Sequence, residues 1–394
     1  MRPASPRVNQ DRVQVRLLGA VADVPRERWN ALLAPDATPF VDWRWLEALE
    51  GSGCASAESG WRPRHLALFR GGELVAASPA YLKEDSDGDF ARDFDLADAV
   101  ERAGRPYYPK LVVGVPFTPV TGRRLLVRPG EDWNGCAEAL LGAARELARR
   151  EGCSTLQILF PLEEEARALA ALGLSPRVSH QYHWLNAGYG SYDDFLARFP
   201  SKRRHALRRE RAAAAGQGVT IRTLRGEGLR DRRLARAAHD LHRATVDKLL
   251  WGRRWLNERF YERVFEAMPE RLELVLAERG GRLVAGAFNV SSEQRLYGRY
   301  WGAFEELPFL HFNVCYYHSI DDCIRRGLTA FEGGAGGEHK LSRGFLPAAT
   351  WSAHEFYDQR LAGALEGHLA RETPERLAAL ARFAEESPVF KRLA

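Results

Sequence analysis

Residues 331–345 read FEGGAGGEHKLSRGF, with Glu332 on one side of four glycines and the trio Glu338, His339 and Lys340 on the other. Such a set can handle protons. An imidazole accepts one near neutral pH, a carboxylate beside it can hold its tautomer, and Lys340 or Arg343 can neutralise a carboxylate or phosphate. Glu332 follows the apolar run LTAF, which places it near the end of a strand, where α/β proteins expose their chemistry. Consecutive residues cannot all face one way, so at most two of the trio point into a site. The plainer alternative is a charged, glycine-hinged turn. A nucleotide cradle is excluded by spacing, because GGAGGEHK fits neither G-x-G-x-x-G nor G-x-x-x-x-G-K-[ST].

Three further stretches carry candidates. In LYGRYWG, period-two alternation predicts Tyr297, Arg299 and Trp301 on one strand face, an arginine between two aromatics that can bind a phosphate or carboxylate or sit in a structural ion pair. His311 then precedes a helix over Phe312–Arg326 whose Val314, Tyr317, Ile320 and Ile324 face inward. In PFTPVTGRR, two prolines fix the backbone while Thr118, Thr121, Arg123 and Arg124 offer hydroxyls and charge, which suits a ligand-lining loop or a rigid turn equally. Between Arg198 and Arg211 lie seven cations, Lys202, Arg203 and Arg204 among them, against one acid, Glu210. A solvated helix face explains such a run, and so does a border for an anionic donor held through phosphate contacts.

The chain that must position these residues has 394 of them, 45% hydrophobic and 28% charged, too long for one core and too apolar for disorder, so two domains are expected. No run of apolar residues reaches membrane-spanning length and the start lacks a signal-like stretch, which predicts a cytoplasmic location without membrane insertion. Five cysteines form no C-x-x-C pair, so neither a disulfide framework nor a metal site is expected. A net charge of +5 favours anionic partners without demanding nucleic acid.

An internal repeat sets the architecture. HLALFRGGELVAASPAYL and LVLAERGGRLVAGAFNVS each spell strand, Gly-Gly turn, strand; VQVRLL precedes the first as VTIRTL precedes the second. Downstream, LARREGCSTLQIL matches DCIRRGLTAFEGG, after an insertion in the first half within residues 83–117. Helices are expected over Trp133–Arg150 in the first half and Leu229–Leu250 in the second. The predicted organisation is an N-terminal domain over 1–186, a basic helical connector over 187–218, a C-terminal domain over 219–358 and a helical tail over 359–394.

This α/β order, performed twice, resembles the GNAT acyltransferase fold in tandem. PFTPVTGRRLL, the stretch from Leu296 to Pro347, and SAHEF after it resemble the Fem-like, peptidoglycan biosynthesis/recognition family of GNAT-related proteins, over about Phe40 to His354. The pattern is departed from at Asn313, where an acidic residue is usual, at His318, which replaces a polar amide, and at Gly336, which replaces an amide in the glycine loop. The resemblance implies transfer of an acyl or aminoacyl group to a small-molecule amine by direct attack, with Glu332, Glu338, His339 and Lys340 around the reacting centre. Tyr297, Arg299, Trp301, Thr118 and Arg343 would then bind substrate, and Lys202, Arg203 and Arg204 the donor. That donor is either aminoacyl-tRNA or acyl-CoA. The glycine-rich Arg/Gln turn that usually holds CoA is replaced here by the acidic AFEELPFLHFN. A protein that binds cell-wall precursors or amino-acid derivatives without catalysis is the alternative.

Overall fold

Two Gly-Gly turns shape the chain, and both glycines of each take positive φ: 58° and 91° at Gly71 and Gly72, 56° and 73° at Gly280 and Gly281. That is the geometry two-residue hairpin loops need to match strand twist, and glycine reaches it without steric cost. The computed structural model describes residues 13–248, 252–386 and 389–391. One compact unit runs to Arg177 and resumes over Trp351–Glu372; the other comprises Val178–Thr350 and the chain from Thr373 on.

The first unit contains β1 (Val13–Leu18), β2 (Arg62–Pro63), β3 (His65–Arg70), β4 (Glu73–Ser78), β5 (Ala80–Lys83), β6 (Lys110–Val113), β7 (Leu126–Val127) and β8 (Thr155–Leu159). The second contains most of β9 (Ser175–Leu185), then β10 (Val219–Arg225), β11 (Leu272–Arg279), β12 (Arg282–Ser291), β13 (Arg295–Ala303) and β14 (Ala330–Glu332). β15 (Leu346–Phe356) begins in the second unit, and its end pairs with β8 in the first. This pairing is why residues 351–372 leave the continuous stretch expected from the sequence.

The repeat is visible as topology. β1 runs antiparallel to β3 and β3 to β4, as β10 does to β11 and β11 to β12. β12 is one long strand, whereas Pro79 separates its counterparts β4 and β5. The insertion expected in the first half falls in two places: residues 84–109, which include a helix over Phe94–Arg102, and the loop 114–125 between β6 and β7.

Within the first unit, the helix Trp133–Arg150 packs Leu140, Leu141, Ala144 and Leu147 into a core with Leu66, Leu68, Leu156 and Ile158. In the second unit the sheet order is β10-β11-β12-β13-β14-β9, with a helical segment on each face. On one face, Tyr316, Tyr317 and Ile320 share a core with Leu296, Phe331 and Trp184. On the other lies the helix Arg232–Val246, so close to β13 that a Cβ on Gly302 would fall 1.8 Å from the Leu241 carbonyl oxygen. The helix expected over Leu229–Leu250 thus begins later and ends at Val246; residues 249–250 of that expectation lie outside the described residues. A further helix, Glu258–Ala267, was not anticipated, although Asn257 caps it by accepting from the Phe260 amide at 3.0 Å and Phe260, Tyr261, Val264 and Phe265 form its buried face.

Candidate active site

β13 and β14 pair in parallel over three rows only: Arg295 with Ala330, Leu296 with Phe331 and Tyr297 with Glu332. Against β12 the register of β13 shifts, since Tyr300 opposes Phe288 while Gly298 opposes Asn289, and Arg299 is the extra residue of a β-bulge. The bulge overturns the expected alternation. One inserted residue switches parity, so Trp301 stacks on His311 with ring centroids 4.1 Å apart on one face, while Tyr300 meets His242 at 4.1 Å on the other. Beyond the bulge, among the described residues, β13 has no strand on its β14 side.

A cavity of about 70 Å³ opens at this point. Asn289, Gly298, Arg299, Trp301, His311, Cys315, Tyr316, Phe331 and Gly333 line it. Gly298 and Gly333 directly follow the paired Tyr297 and Glu332, so the ladder stops where the cavity starts. The Asn289 side chain is buried, and its Nδ2 has no hydrogen-bond partner. A buried amide without an acceptor costs roughly 1–3 kcal/mol, which marks a place for an acceptor atom. Burial, then the nearby His339, Arg343 and Lys340, pushes the His311 pKa down to about 4, so its imidazole is neutral at physiological pH.

The segment bearing His311 runs as Leu310–Phe312, one turn of π-helix over Asn313–Tyr317, then α-helix over His318–Arg325. π-turns recur at functional sites because the wider turn redirects side chains. Asn313 supports this turn: its Nδ2 donates to the Glu210 carbonyl at 2.8 Å and to the Phe309 carbonyl at 3.0 Å, which an ionised carboxylate could not do. His318 Nε2 lies 2.9 Å from Thr223 Oγ1. Gly336 has φ +71° and its carbonyl accepts from Lys340.

Lys340 is the brace of the glycine loop. Its Nζ donates to the carbonyls of Gly334 and Gly336, both at 2.7 Å, and burial pushes its pKa down to about 8. His339 Nε2 sits 3.1 Å from Tyr316 Oη, so a phenol rather than the exposed Glu338 orients the ring. Its pKa is lowered by partial burial, then by Lys340 and Arg343.

Several other expected residues are already engaged. Arg343 is buried, stacks 3.3 Å over Phe312, and donates to Glu210 Oε2 at 2.8 Å, Tyr317 Oη at 3.0 Å and the His339 carbonyl at 2.9 Å. Thr118 belongs to the other unit, where its buried hydroxyl donates to the Pro116 carbonyl at 2.8 Å. In the same loop Arg124 donates to the carbonyls of Leu159 and Gly122, the bonding of a rigid turn. The basic stretch is the helix Ser201–Gly216 of the second unit, tied down through Arg203 Nε to the Ser342 carbonyl at 2.6 Å and Arg211 to Asp321 at 2.6 Å. Lys202 and Arg209 remain exposed and Arg204 is half-buried.

Glu332 is buried at the end of β14, and its Oε1 accepts from Arg295 at 3.1 Å. In register beside it on β9 is His183, whose Nε2 lies 3.8 Å from Glu332 Oε2. Burial lowers the His183 pKa against the opposing pull of Glu332, while Tyr297 is pushed well above the usual phenol range by burial and then by Glu332. Sequence reasoning missed His183 and Asn289. For Asn289 the available signal was a polar side chain in the otherwise apolar run GAFNV, whereas RVSHQYHWLN holds too many polar residues to single out His183. As for metals, one group of suitably spaced ligands occurs among the described residues, Asp95, His368 and Glu372. Arg177 already donates to Asp95 at 2.7 Å and to Glu372 at 2.9 Å, so a cation there would compete with a guanidinium.

Residues 20–392 match the model of the FemAB-like family, described as peptidoglycan biosynthesis/recognition. Among solved structures, the chain is similar to FemX, with a TM-score of 0.52 and 14% identity over 87% of this chain and 98% of that one. It is also similar to the C-terminal domain of a putative lysylphosphatidylglycerol synthetase from Agrobacterium fabrum, with a TM-score of 0.54 and 11% identity over 88% and 95%. A tandem GNAT protein from the clavulanic acid biosynthesis pathway aligns at a TM-score of 0.41 and 15% identity, over 88% and 98%. The fold is a mixed α/β tandem of GNAT-like halves. No curated protein matches. No helix among the described residues is long and apolar enough to cross a membrane.

Proposed function

Because this chain belongs to the FemAB-like family of peptidoglycan biosynthesis/recognition proteins, we propose that it transfers an acyl group, specifically an aminoacyl group, onto an amine by direct attack, without a covalent enzyme intermediate. The observation that carries this reading is the coincidence, at the β13 bulge, of an unpaired strand edge, a small cavity and the partnerless Asn289 amide. Acyl transfer builds negative charge on the carbonyl oxygen, and fixed N–H donors in a confined site are the usual means of stabilising it. Asn289 Nδ2 is such a donor. Trp301, Phe331 and Tyr316 confine the reacting group, which holds it in position and limits competing hydrolysis. Glu332 is the buried carboxylate directly before the cavity's Gly333, Tyr316 of the cavity wall orients His339, and Lys340 keeps the glycine loop in shape.

For the donor, aminoacyl-tRNA fits better than acyl-CoA. The loop entering the helix after β13 carries Glu305, paired with Arg279 and Arg282, and Glu306, paired with Lys248, so acids stand where a pyrophosphate would need bare amides. Lys202, Arg204 and Arg209 offer phosphate contacts instead. The departures from the family pattern at Asn313, His318 and Gly336 are what would favour a non-catalytic binder, and each of the three has a structural hydrogen bond here.

The test is single-turnover transfer from aminoacyl-tRNA or acetyl-CoA to a panel of amino acids and lysine-containing peptides, with Asn289→Leu beside the wild type. Loss of one oxyanion donor is expected to lower the rate about 10²–10³-fold. An unchanged rate in Asn289→Leu would move the reacting centre elsewhere.

A further inference from the structure

One row of the second unit's sheet places a phenol, a carboxylate and an imidazole side by side: Tyr297 on β13, Glu332 on β14 and His183 on β9. Residues in register on adjacent strands project from the same face. Glu332 and His183 are both buried, and two of their atoms, Glu332 Oε2 and His183 Nε2, have no hydrogen-bond partner. Those atoms face each other at 3.8 Å, too far for a hydrogen bond and close enough for one donor to reach both. A nitrogen about 2.8 Å from each would see them about 85° apart, which two of its N–H bonds can reach as slightly bent hydrogen bonds.

Resting on the acyltransfer reading above, we propose that Glu332 and His183 form the acceptor-amine subsite, which receives a protonated primary amine and takes its first proton. The ligand class follows from the site's chemistry. With its ring proton on Nδ1, neutral His183 presents Nε2 as an acceptor beside the Glu332 carboxylate, and burial lowers its pKa, so an uncharged ring is the resting form at neutral pH. An anion is disfavoured by the carboxylate, and an apolar group would leave both atoms unpaired. Arg295 and Lys340 are the cations that act on the imidazole, and Arg299 and Arg295 those that act on the carboxylate or its neighbours. Arg295 caps Glu332 Oε1 and its side chain is 44% exposed, so the pair lies one side chain below solvent.

An ammonium N–H bond breaks and its proton passes to His183 Nε2, where Glu332 stabilises the imidazolium. The freed nitrogen lone pair forms the N–C bond to the acyl carbon, the ester C–O bond breaks, and the leaving oxygen takes a second proton from the same nitrogen. His183 then returns its proton to solvent. No oxidant or metal is needed.

The experiment has two arms. In the first, ¹⁵N-labelled histidine resonances of the full chain are followed by NMR during titration with methylammonium chloride and, separately, tetramethylammonium chloride, which has the charge but no N–H donor. The His183 Nε2 resonance, assigned by its loss in His183→Gln, is expected to move with methylammonium alone and to stop moving in Glu332→Gln. Equal responses to both salts, or none, overturn the proposal. In the second arm, single-turnover transfer is measured from about pH 4.5 to about pH 8 in wild type, His183→Gln and His183→Ala. The expected result is a fall of about 10²-fold or more in rate and loss of the acidic limb of the pH profile in both variants. If the wild type transfers and His183→Gln matches it in rate and profile, the subsite is refuted while acyl transfer stands. If the wild type transfers nothing from either donor, acyl transfer itself is refuted, and the first arm alone decides whether the pair binds amines.

Discussion

Arg343→Met is expected to destabilise the second unit by about 3 kcal/mol, and the structure says where that cost arises. The Arg343 and Glu210 side chains are 6% and 9% exposed and meet at 2.8 Å, and Tyr317 donates to the same carboxylate. Methionine removes both the charge and the guanidinium that stacks over Phe312, leaving Glu210 buried with Arg203 at 3.6 Å as its nearest remaining cation among the described residues. Breaking one side of a buried pair typically costs 3–5 kcal/mol, and the low end applies because Arg203 and Tyr317 stay. For a unit of this size that is a fall of roughly 6–12 °C in Tm. The decisive comparison is the double variant Glu210→Gln/Arg343→Met. Removing both charges should restore most of the loss, since paired buried charges are worth little net against neutral packing. Calorimetry with hydrogen exchange assigned to the helix Ser201–Gly216 would read both changes in the right unit. A single variant that costs less than about 1 kcal/mol, or a double variant less stable than the single, would refute the reasoning.

Other outcomes are expected on similar grounds. His354, fully buried in the first unit, has its pKa pushed down to about 3 by burial. The unfolded chain therefore binds the extra proton first, and the stability present above pH 6.5 is lost as pH falls toward 3, by about 2 kcal/mol at pH 5. His354→Gln should flatten that part of the pH–stability curve, and an unaltered curve would count against a neutral buried imidazole. Gly302→Ala should destabilise by about 3 kcal/mol, because its Cβ cannot share space with the Leu241 carbonyl; a variant as stable as wild type would mean the helix Arg232–Val246 shifts freely. For aminoacyl-tRNA binding measured by gel shift, Lys202→Ala and Arg209→Ala should each reduce the salt slope by about 1, and unchanged slopes would locate the phosphates elsewhere.

The fold was readable where local chemistry repeats. Gly-Gly between apolar alternating runs determines a hairpin wherever it occurs, so two copies exposed the tandem halves. The helix Trp133–Arg150 was read to the residue, because Asp132 caps it and its apolar period is regular. What escaped is non-local. Arg299 could not be recognised as a bulge from LYGRYWG, since the extra residue exists only relative to Phe288 and Asn289 on the next strand. His183 and Glu332 lie in segments of sequence far apart, and strand pairing alone makes them neighbours. Arg343 and Lys340 look like free cations beside a glycine loop, yet the buried carboxylate of Glu210 and two loop carbonyls engage them. Charge in a sequence does not reveal which partner will satisfy it. His311 shows the reverse: a residue that only precedes a helix in the sequence is stacked on Trp301 in the fold.

The edge of β13 is where we propose that acyl transfer to an amine takes place. Wild-type protein incubated with aminoacyl-tRNA bearing a ¹⁴C-labelled amino acid and a mixture of primary amines, then separated by mass spectrometry into protein and small-molecule fractions, tests it most directly. Label is expected in a new amide and none on the protein. Label retained on the protein as a covalent acyl adduct, or amine bound with no amide formed from any donor, would contradict it.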